Sequence, residues 1–143
     1  MSGQTAVGAA IVTAIMAGVF KVLGVVTTPD ASITINSLEY ERKHGLPYII
    51  QDRTVYSDGP LTARWSAQVD IIEGSTRVMI CSGDGYWDYE AGTIRANILF
   101  DDWVGEKDCH DSIESGDAFI LCAEYKWGDT GLERFCGNPI IKP

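Results

Sequence analysis

Residues 61–72 read LTARWSAQVDII, and apolar and polar side chains alternate without exception as far as Ile71. Side chains of an extended strand point to opposite faces in turn, so this period of two predicts a β-strand with one buried face. Residues 72–75 (IEGS) supply turn chemistry, and the β-rich stretch TRVMICS follows at 76–82. The two stretches together predict an antiparallel hairpin.

Five further β-rich stretches follow residue 30, without an amphipathic helix of useful length: 32–38, 48–56, 93–100, 118–127 and 132–136. We therefore predict an all-β domain over residues 30–143, an antiparallel sandwich of about seven strands that is immunoglobulin-like or fibronectin-like. The Cys, Trp, Cys order of antibody domains is absent, since Trp65 precedes Cys81.

Charge is divided unevenly along the 143 residues. Residues 1–29 carry one charged side chain, Lys21, so residues 30–143 carry all 20 acidic residues and ten of the 11 basic ones, a net charge of −10. A surface with this balance repels phosphate backbones, which argues against a nucleic-acid partner.

An apolar run covers residues 5–26, with the sequence TAVGAAIVTAIMAGVFKVLGVV. A helix of 22 residues spans roughly 33 Å, enough to cross a hydrocarbon core of about 30 Å. We predict a single-pass, uncleaved transmembrane helix in an N-terminal segment, residues 1–29. Small residues at spacings of four give this helix a packing side through which the chain could form a homo-oligomer: Ala6, Ala10, Ala14 and Gly18.

Three other interpretations of this run stay open. It could be a cleaved signal peptide, although its n-region lacks basic side chains. It could also be a helix buried in a protein assembly, or a hydrophobic arm that inserts into a target membrane.

The last two strands predict a disulfide. A loop containing Gly128 and Gly131 places Lys126 opposite Leu132, Glu124 opposite Arg134, and Cys122 opposite Cys136. Directly opposed residues of an antiparallel pair lie within the Cα distance range that a disulfide accepts.

By elimination, the second predicted disulfide joins Cys81 to Cys109. Disulfides persist in oxidising compartments, which places the β domain in the periplasm or outside the cell. Four buried free thiols in a cytosolic protein are the alternative. We predict no zinc site, because no two cysteines have the close spacing of a zinc-binding pair.

The sequence contains no recognisable catalytic motif. His44 and His110 fit loop positions, and residues 101–111 cluster carboxylates without the regular spacing of a calcium site. We predict no cofactor, no metal and no enzymatic activity, and we expect Trp103 to pack into the core.

One stretch is a candidate binding surface. Residues 82–90 read SGDGYWDYE, which we predict to be a loop because glycines and acids surround its aromatic rings. Aromatic side chains are enriched at binding hot spots, so the candidate binding residues are Tyr86, Trp87, Asp88 and Tyr89. The alternative is that some of these rings cover the end of the core.

Three segments carry a resemblance to known proteins: RWSAQ at 64–68, CSG at 81–83, and DWVG at 102–105 followed by Cys109. With the apolar N-terminus, this layout resembles the small single-pass envelope proteins of tailed phages and prophages of Gram-negative bacteria. The resemblance implies a membrane location with the β domain on the far side, and it assigns no functional residue.

Three functions are compatible with these observations. The first is a non-enzymatic, membrane-anchored protein whose β domain binds a protein partner or a cell-envelope component. The second is a structural component of a virion or secretion assembly, in which the N-terminal helix packs in an oligomer. The third is a carbohydrate-binding or hydrolytic domain that uses the stretch at 82–90.

Overall fold

The computed structural model describes residues 31–143, which form two antiparallel β-sheets. The elements are β1 (Ser32–Lys43), β2 (Leu46–Tyr56), β3 (Leu61–Glu73), β4 (Thr76–Tyr89), β5 (Gly92–Leu99), α1 (Phe100–Val104), a 3₁₀ turn (His110–Ser112), β6 (Ala118–Trp127), β7 (Gly131–Cys136) and β8 (Ile140–Ile141). One sheet has the order β1-β2-β5, and the other has the order β4-β3-β6-β7, with β8 also paired to β6. The prediction of two antiparallel layers is confirmed, and the two-residue β8 is additional.

β3 shows the predicted alternation and lies inside the larger sheet, between β4 and β6. Its apolar residues Ala63, Ala67 and Val69 are at most 3% exposed. They face the core together with residues from the other sheet, such as Ile33 and Ile49. The alternation at 61–71 therefore identifies the face of the sheet that packs against its partner.

The first hairpin has a two-residue turn at His44 and Gly45, whose φ angles are 51° and 78°. Lys43 pairs with Leu46 directly across this turn. Positive φ at both turn residues matches the twist of the flanking strands, so the ladder continues up to the turn. β1 consequently runs to Lys43, beyond the end predicted at residue 38.

The prediction of a loop at residues 82–90 is wrong, because β4 is a strand from Thr76 to Tyr89. The two glycines that indicated a loop mark close packing instead. A Cβ on Gly83 would lie 1.8 Å from the main-chain oxygen of Val104, and one on Gly85 would lie 3.0 Å from the Trp65 indole nitrogen. Glycine is used inside strands where another group approaches the backbone this closely.

Both predicted disulfides are present in the structure. β6 and β7 pair in the predicted register, with Cys122 opposite Cys136 and a Cα–Cα distance of 4.1 Å. The second disulfide joins Cys81 on β4 to Cys109 in the connection between α1 and β6, with a Cα–Cα distance of 6.1 Å. The described residues include no free cysteine.

The edges of β1 and β7 meet and close one side of the sandwich. The main-chain N–H of Ile35 donates a hydrogen bond to the Glu133 carboxylate at 2.8 Å. The indole N–H of Trp127 donates to the main-chain oxygen of Ala31 at 2.9 Å. We call this contact the β1–β7 seam.

The acidic stretch at 101–111 begins with α1, whose Trp103 is only 6% exposed, as expected for a core residue. Two of its carboxylates accept main-chain hydrogen bonds: Asp101 from the N–H of His110 at 2.9 Å, and Glu106 from the N–H of Ser82 at 3.2 Å. Within residues 31–143, no three His, Cys, Asp or Glu side chains are grouped so that they could hold a metal ion.

The predicted membrane helix at 5–26 lies outside the described residues, as do its packing residues Ala6, Ala10, Ala14 and Gly18. In the part of the chain that the structure describes, no helix has the length and apolarity needed to span a membrane. The helix and the boundary between segments 1–29 and 30–143 stay predictions.

Candidate functional site

A pocket of about 420 Å³ lies between the two sheets on the side of β4 and β5. Five aromatic residues from β3, β4, β6 and α1 contribute to its walls. We call it the aromatic pocket, and its lining consists of Gln51, Arg53, Trp65, Ser66, Trp87, Tyr89, Ile98, Asp102, Trp103, Ala123 and Tyr125.

Strand register explains why the rings share one face. Trp65 lies opposite Gly85 on β4 and opposite Tyr125 on β6, and residues directly opposite in a ladder point to the same side. Trp87 follows Gly85 by two positions, and Tyr89 follows by four, so both belong to this inner face. Gly85 provides the space that the Trp65 indole occupies.

The most buried polar side chain of the pocket is Gln51 on β2, which is 2% exposed. Its amide oxygen accepts a hydrogen bond from the Tyr125 hydroxyl at 2.6 Å and another from the Arg53 guanidinium at 3.1 Å. A buried polar group without a partner costs about 1–3 kcal/mol. These two bonds therefore satisfy the amide oxygen of Gln51 inside the sandwich.

Arg53 places a positive charge at the pocket. Its guanidinium lies 4.9 Å from the centroid of the Tyr89 ring, a cation–π distance. Within residues 31–143, no carboxylate forms a salt bridge with Arg53. The guanidinium therefore retains charge and N–H donors that a ligand can use.

Burial raises the pKa of both pocket tyrosines, Tyr89 and Tyr125. The positive charge of Arg53 opposes this rise in each case, and it is the smaller influence. Their rings meet edge to face with centroids 5.2 Å apart. Both phenols are neutral near pH 7 and can take part in hydrogen bonds, but not as anionic bases.

The structure separates the four predicted binding residues into two pairs. Trp87 and Tyr89 line the aromatic pocket, with Trp87 64% exposed and Tyr89 buried. Tyr86 and Asp88 belong to the opposite face of the sheet, where Asp88 accepts a 2.6 Å hydrogen bond from the Thr62 hydroxyl. The strand period of two separates them. A binding role for these residues stays a prediction.

The sequence interpretation missed the other aromatic and polar walls of the pocket. Trp65 is in the best alternating stretch and was recognisable as inward-facing, but nothing local indicates that Tyr125 lies beside it. Gln51 and Arg53 have the same parity on β2 as the buried Ile49, which could have marked them as inward-facing. The residues that Gln51 and Arg53 contact, Tyr125 and Tyr89, lie on β6 and β4, which are distant in sequence.

The walls of the aromatic pocket combine aromatic rings with a few polar groups. Its polar groups are one guanidinium, one amide, one carboxylate from Asp102 and three hydroxyls, from Ser66, Tyr89 and Tyr125. Among the described lining residues, no histidine or cysteine stands beside a hydroxyl to activate it. Ligand pockets typically measure roughly 300–1,000 Å³ and combine apolar walls with a few polar groups, as this one does.

No protein-family model matches the chain, and no curated protein matches it. Solved structures that are similar to it include two curli-related proteins. The E. coli curli protein CsgC has a TM-score of 0.40 and 10% identity over 75% of this chain and 97% of that one. The solution structure of R. palustris CsgH has a TM-score of 0.40 and 13% identity over 74% of this chain and 91% of that one. The resemblance to phage envelope proteins stays a prediction.

Proposed function

We propose that the chain is a non-enzymatic, extracytoplasmic binding protein whose β-sandwich takes up an extended segment of a protein partner. The observation that carries this proposal is the aromatic pocket at the edge strand β4, where Trp87 is exposed and Tyr89 is buried. A strand edge supplies main-chain hydrogen bonds, and a neighbouring pocket supplies side-chain specificity.

β4 has the features of a strand that can accept another strand. It pairs only with β3 among the described elements, and it is 14 residues long. Its large exposed apolar residues include Met79, Tyr86 and Trp87. A long edge with exposed apolar side chains is a favourable template for strand addition. Alternate side chains of an added strand would then point toward the aromatic pocket.

Charge narrows the chemistry of the partner. The β domain carries a net charge of −10, and Asp88, for which no salt bridge is present within residues 31–143, lies on β4 itself. Complementary charge guides association and disfavours wrong partners. The proposed partner segment is therefore extended and basic, with an aromatic or aliphatic side chain that enters the aromatic pocket.

The two disulfides support a location outside the cytoplasm, because reducing systems in the cytosol keep thiols free. We further propose that residues 5–26 anchor the chain in a membrane as a single-pass helix, on the strength of their length and apolarity. Recovery of the intact chain in the membrane fraction after a carbonate wash would support this anchor. Recovery as a soluble monomer would contradict it.

A fibronectin-like sandwich is the finer fold assignment that we propose. In constant-type immunoglobulin domains the fourth strand extends the sheet of strands one, two and five. Here β4 lies beside β3 in the opposite sheet.

Site-specific photo-crosslinking tests the binding proposal. A photoreactive amino acid replaces Trp87 in one variant and Leu132 in the control variant, and these positions have similar exposure, 64% and 57%. Both variants are expressed in the native host. We expect a covalent adduct with one protein at position 87 and none at position 132. No adduct at either position, or the same adducts at both, would refute binding at β4.

A carbohydrate of the cell envelope is a second candidate ligand. Three indoles, from Trp65, Trp87 and Trp103, surround the pocket together with planar polar groups from Gln51 and Arg53. Aromatic faces and planar hydrogen-bonding groups can bind a sugar ring. Quenching of tryptophan fluorescence by purified envelope oligosaccharides, lost in Trp87→Ala and kept in Leu132→Ala, would favour this candidate over a protein segment.

A further inference from the structure

The two disulfides have different surroundings. Cys81 and Cys109 are both buried, at 3% and 2% exposure, between β4 and the connection that follows α1. Cys122 and Cys136 lie on the outer face of the β4-β3-β6-β7 sheet, where Cys122 is 1% exposed but Cys136 is exposed. Of the two disulfides, only Cys122–Cys136 therefore includes a solvent-exposed cysteine.

A guanidinium accompanies the Cys122–Cys136 disulfide. Nη2 of Arg77 lies 3.4 Å from Sγ of Cys122 and 4.0 Å from Sγ of Cys136. The same nitrogen donates to the Asp70 carboxylate at 2.9 Å, and Gln68 donates to the other oxygen of Asp70 at 2.9 Å. A nearby positive charge stabilises a thiolate, which makes that sulfur a better leaving group.

We propose that Cys122–Cys136 is a thiol–disulfide exchange site, and that its substrates are small thiols or the dithiol of a partner oxidoreductase. The thiolate of the substrate attacks Sγ of Cys136, which is exposed. The protein S–S bond breaks, its electron pair passes to Sγ of Cys122, and Arg77 stabilises the resulting thiolate. A second substrate thiolate then attacks the substrate sulfur of the mixed disulfide. This step releases the oxidised substrate and leaves two protein thiolates, so the protein has gained two electrons. The thiolates become thiols by taking up the two protons that the substrate thiols lost on ionisation.

The charged groups around the Cys122–Cys136 disulfide have opposite effects on thiol–disulfide exchange. Asp70 holds part of the Arg77 charge and repels an incoming thiolate. The next cross-strand pair on this face, Glu124 and Arg134, contributes one charge of each sign, with 3.8 Å between their nearest atoms. Asp70 thus restrains exchange at a site that Arg77 favours.

The Cys81–Cys109 disulfide provides an internal control. The intact protein is incubated with glutathione or dithiothreitol without denaturant, quenched by alkylation, and analysed by peptide mass spectrometry over time. We expect Cys122–Cys136 to open at least about tenfold faster than Cys81–Cys109. Opening of both disulfides at one rate would overturn the proposal, because it would indicate that reduction requires unfolding of the whole domain.

Variants separate the charge effect from a loss of stability. Asp70→Asn releases Arg77 from its carboxylate, and we expect exchange at Cys122–Cys136 to accelerate about threefold. The double variant Asp70→Asn with Arg77→Gln should lose this gain and exchange more slowly than Asp70→Asn alone. Arg64→Gln is the matched control, because Arg64 pairs with Asp84 on the same face and contacts neither sulfur atom.

The denaturation midpoint of every variant is measured alongside its rate of exchange. Equal rates in Asp70→Asn and in the double variant would overturn the role of Arg77. So would a difference that follows the midpoints rather than the charge.

Discussion

The two sides of the sandwich are closed in different ways. On the β1–β7 seam, the strand edges meet through hydrogen bonds, such as the one from the Ile35 N–H to Glu133. On the β4 and β5 side, α1 and the rings that line the aromatic pocket lie between the sheets. A hydrogen bond needs a fixed partner, whereas aromatic walls leave room for another group. The seam therefore stabilises the sandwich, and the other side contains the pocket that we propose as the binding site.

Gly83 shows how closely β4 packs against α1 on the side of the aromatic pocket. Its hydrogen faces the Val104 carbonyl at the end of α1, and a Cβ in its place would come within 1.8 Å of that oxygen. The indole of Trp103, next to Val104, is buried and forms part of the aromatic pocket. The position of α1 against β4 thus depends on a residue without a side chain.

The substitution with the largest expected effect is Gly83→Ala. Because backbone atoms on both sides must shift, we expect the free energy of unfolding to fall by about 3 kcal/mol. Urea denaturation followed by tryptophan fluorescence measures this change. Gly59→Ala is the control, since nothing lies within 4 Å of a Cβ at that position, and its effect should stay within about 0.5 kcal/mol. Equal effects at the two positions would contradict the close packing of α1 against Gly83.

A smaller effect is expected on the seam, from Glu133→Ala. The Ile35 N–H would lose its charged acceptor at a partly buried position, at a cost of about 2 kcal/mol. Glu133→Gln retains an amide oxygen at the same reach and should lose less than half of that. Denaturation midpoints of the two variants decide the question. The same loss in both would mean that the carboxylate charge, rather than the hydrogen bond, stabilises the seam.

The all-β fold was predictable because the patterns that indicate its strands lie within short stretches of sequence. Alternation at 61–71 identified β3, and the β6–β7 register followed from matching Glu124 with Arg134 and Cys122 with Cys136. The loop prediction at 82–90 failed because glycines such as Gly83 and Gly85 are common in turns. Their role depends on Val104 and Trp65, which approach from other elements. The local sequence pattern does not distinguish a glycine in a turn from a glycine in a strand against which another residue packs.

The candidate site was predictable only in part, for the same reason. Trp87 and Tyr89 were recognisable as aromatic residues in an unusual context, and both line the pocket. The bond between Gln51 and Tyr125 joins residues 74 positions apart, and no sequence period connects them. Sites built between two sheets combine residues whose proximity is set by packing.

His110 provides a test of how the connection between α1 and β6 is held against the seam strand β1. The residue His110 is 5% exposed, its Nε2 lies 2.8 Å from the Tyr40 hydroxyl, and its ring stacks on the ring of Tyr40. Burial lowers the pKa of His110, and the positive charges of Lys142 and Arg42 lower it further, against weaker opposition from Asp111 and Asp101. The folded protein therefore holds this imidazole in its neutral form to a lower pH than the unfolded chain does.

The smallest of the three effects follows from this difference. As the pH falls below the ordinary histidine pKa of about 6.5, the unfolded chain binds a proton before the folded protein does. The free energy of unfolding should then decrease until the pH reaches the lower folded-state pKa. Urea midpoints between pH 7 and pH 5 measure this slope, which His110→Gln should flatten. An unaltered slope in His110→Gln would assign the acid sensitivity to other groups and leave the contact with Tyr40 without a role in it.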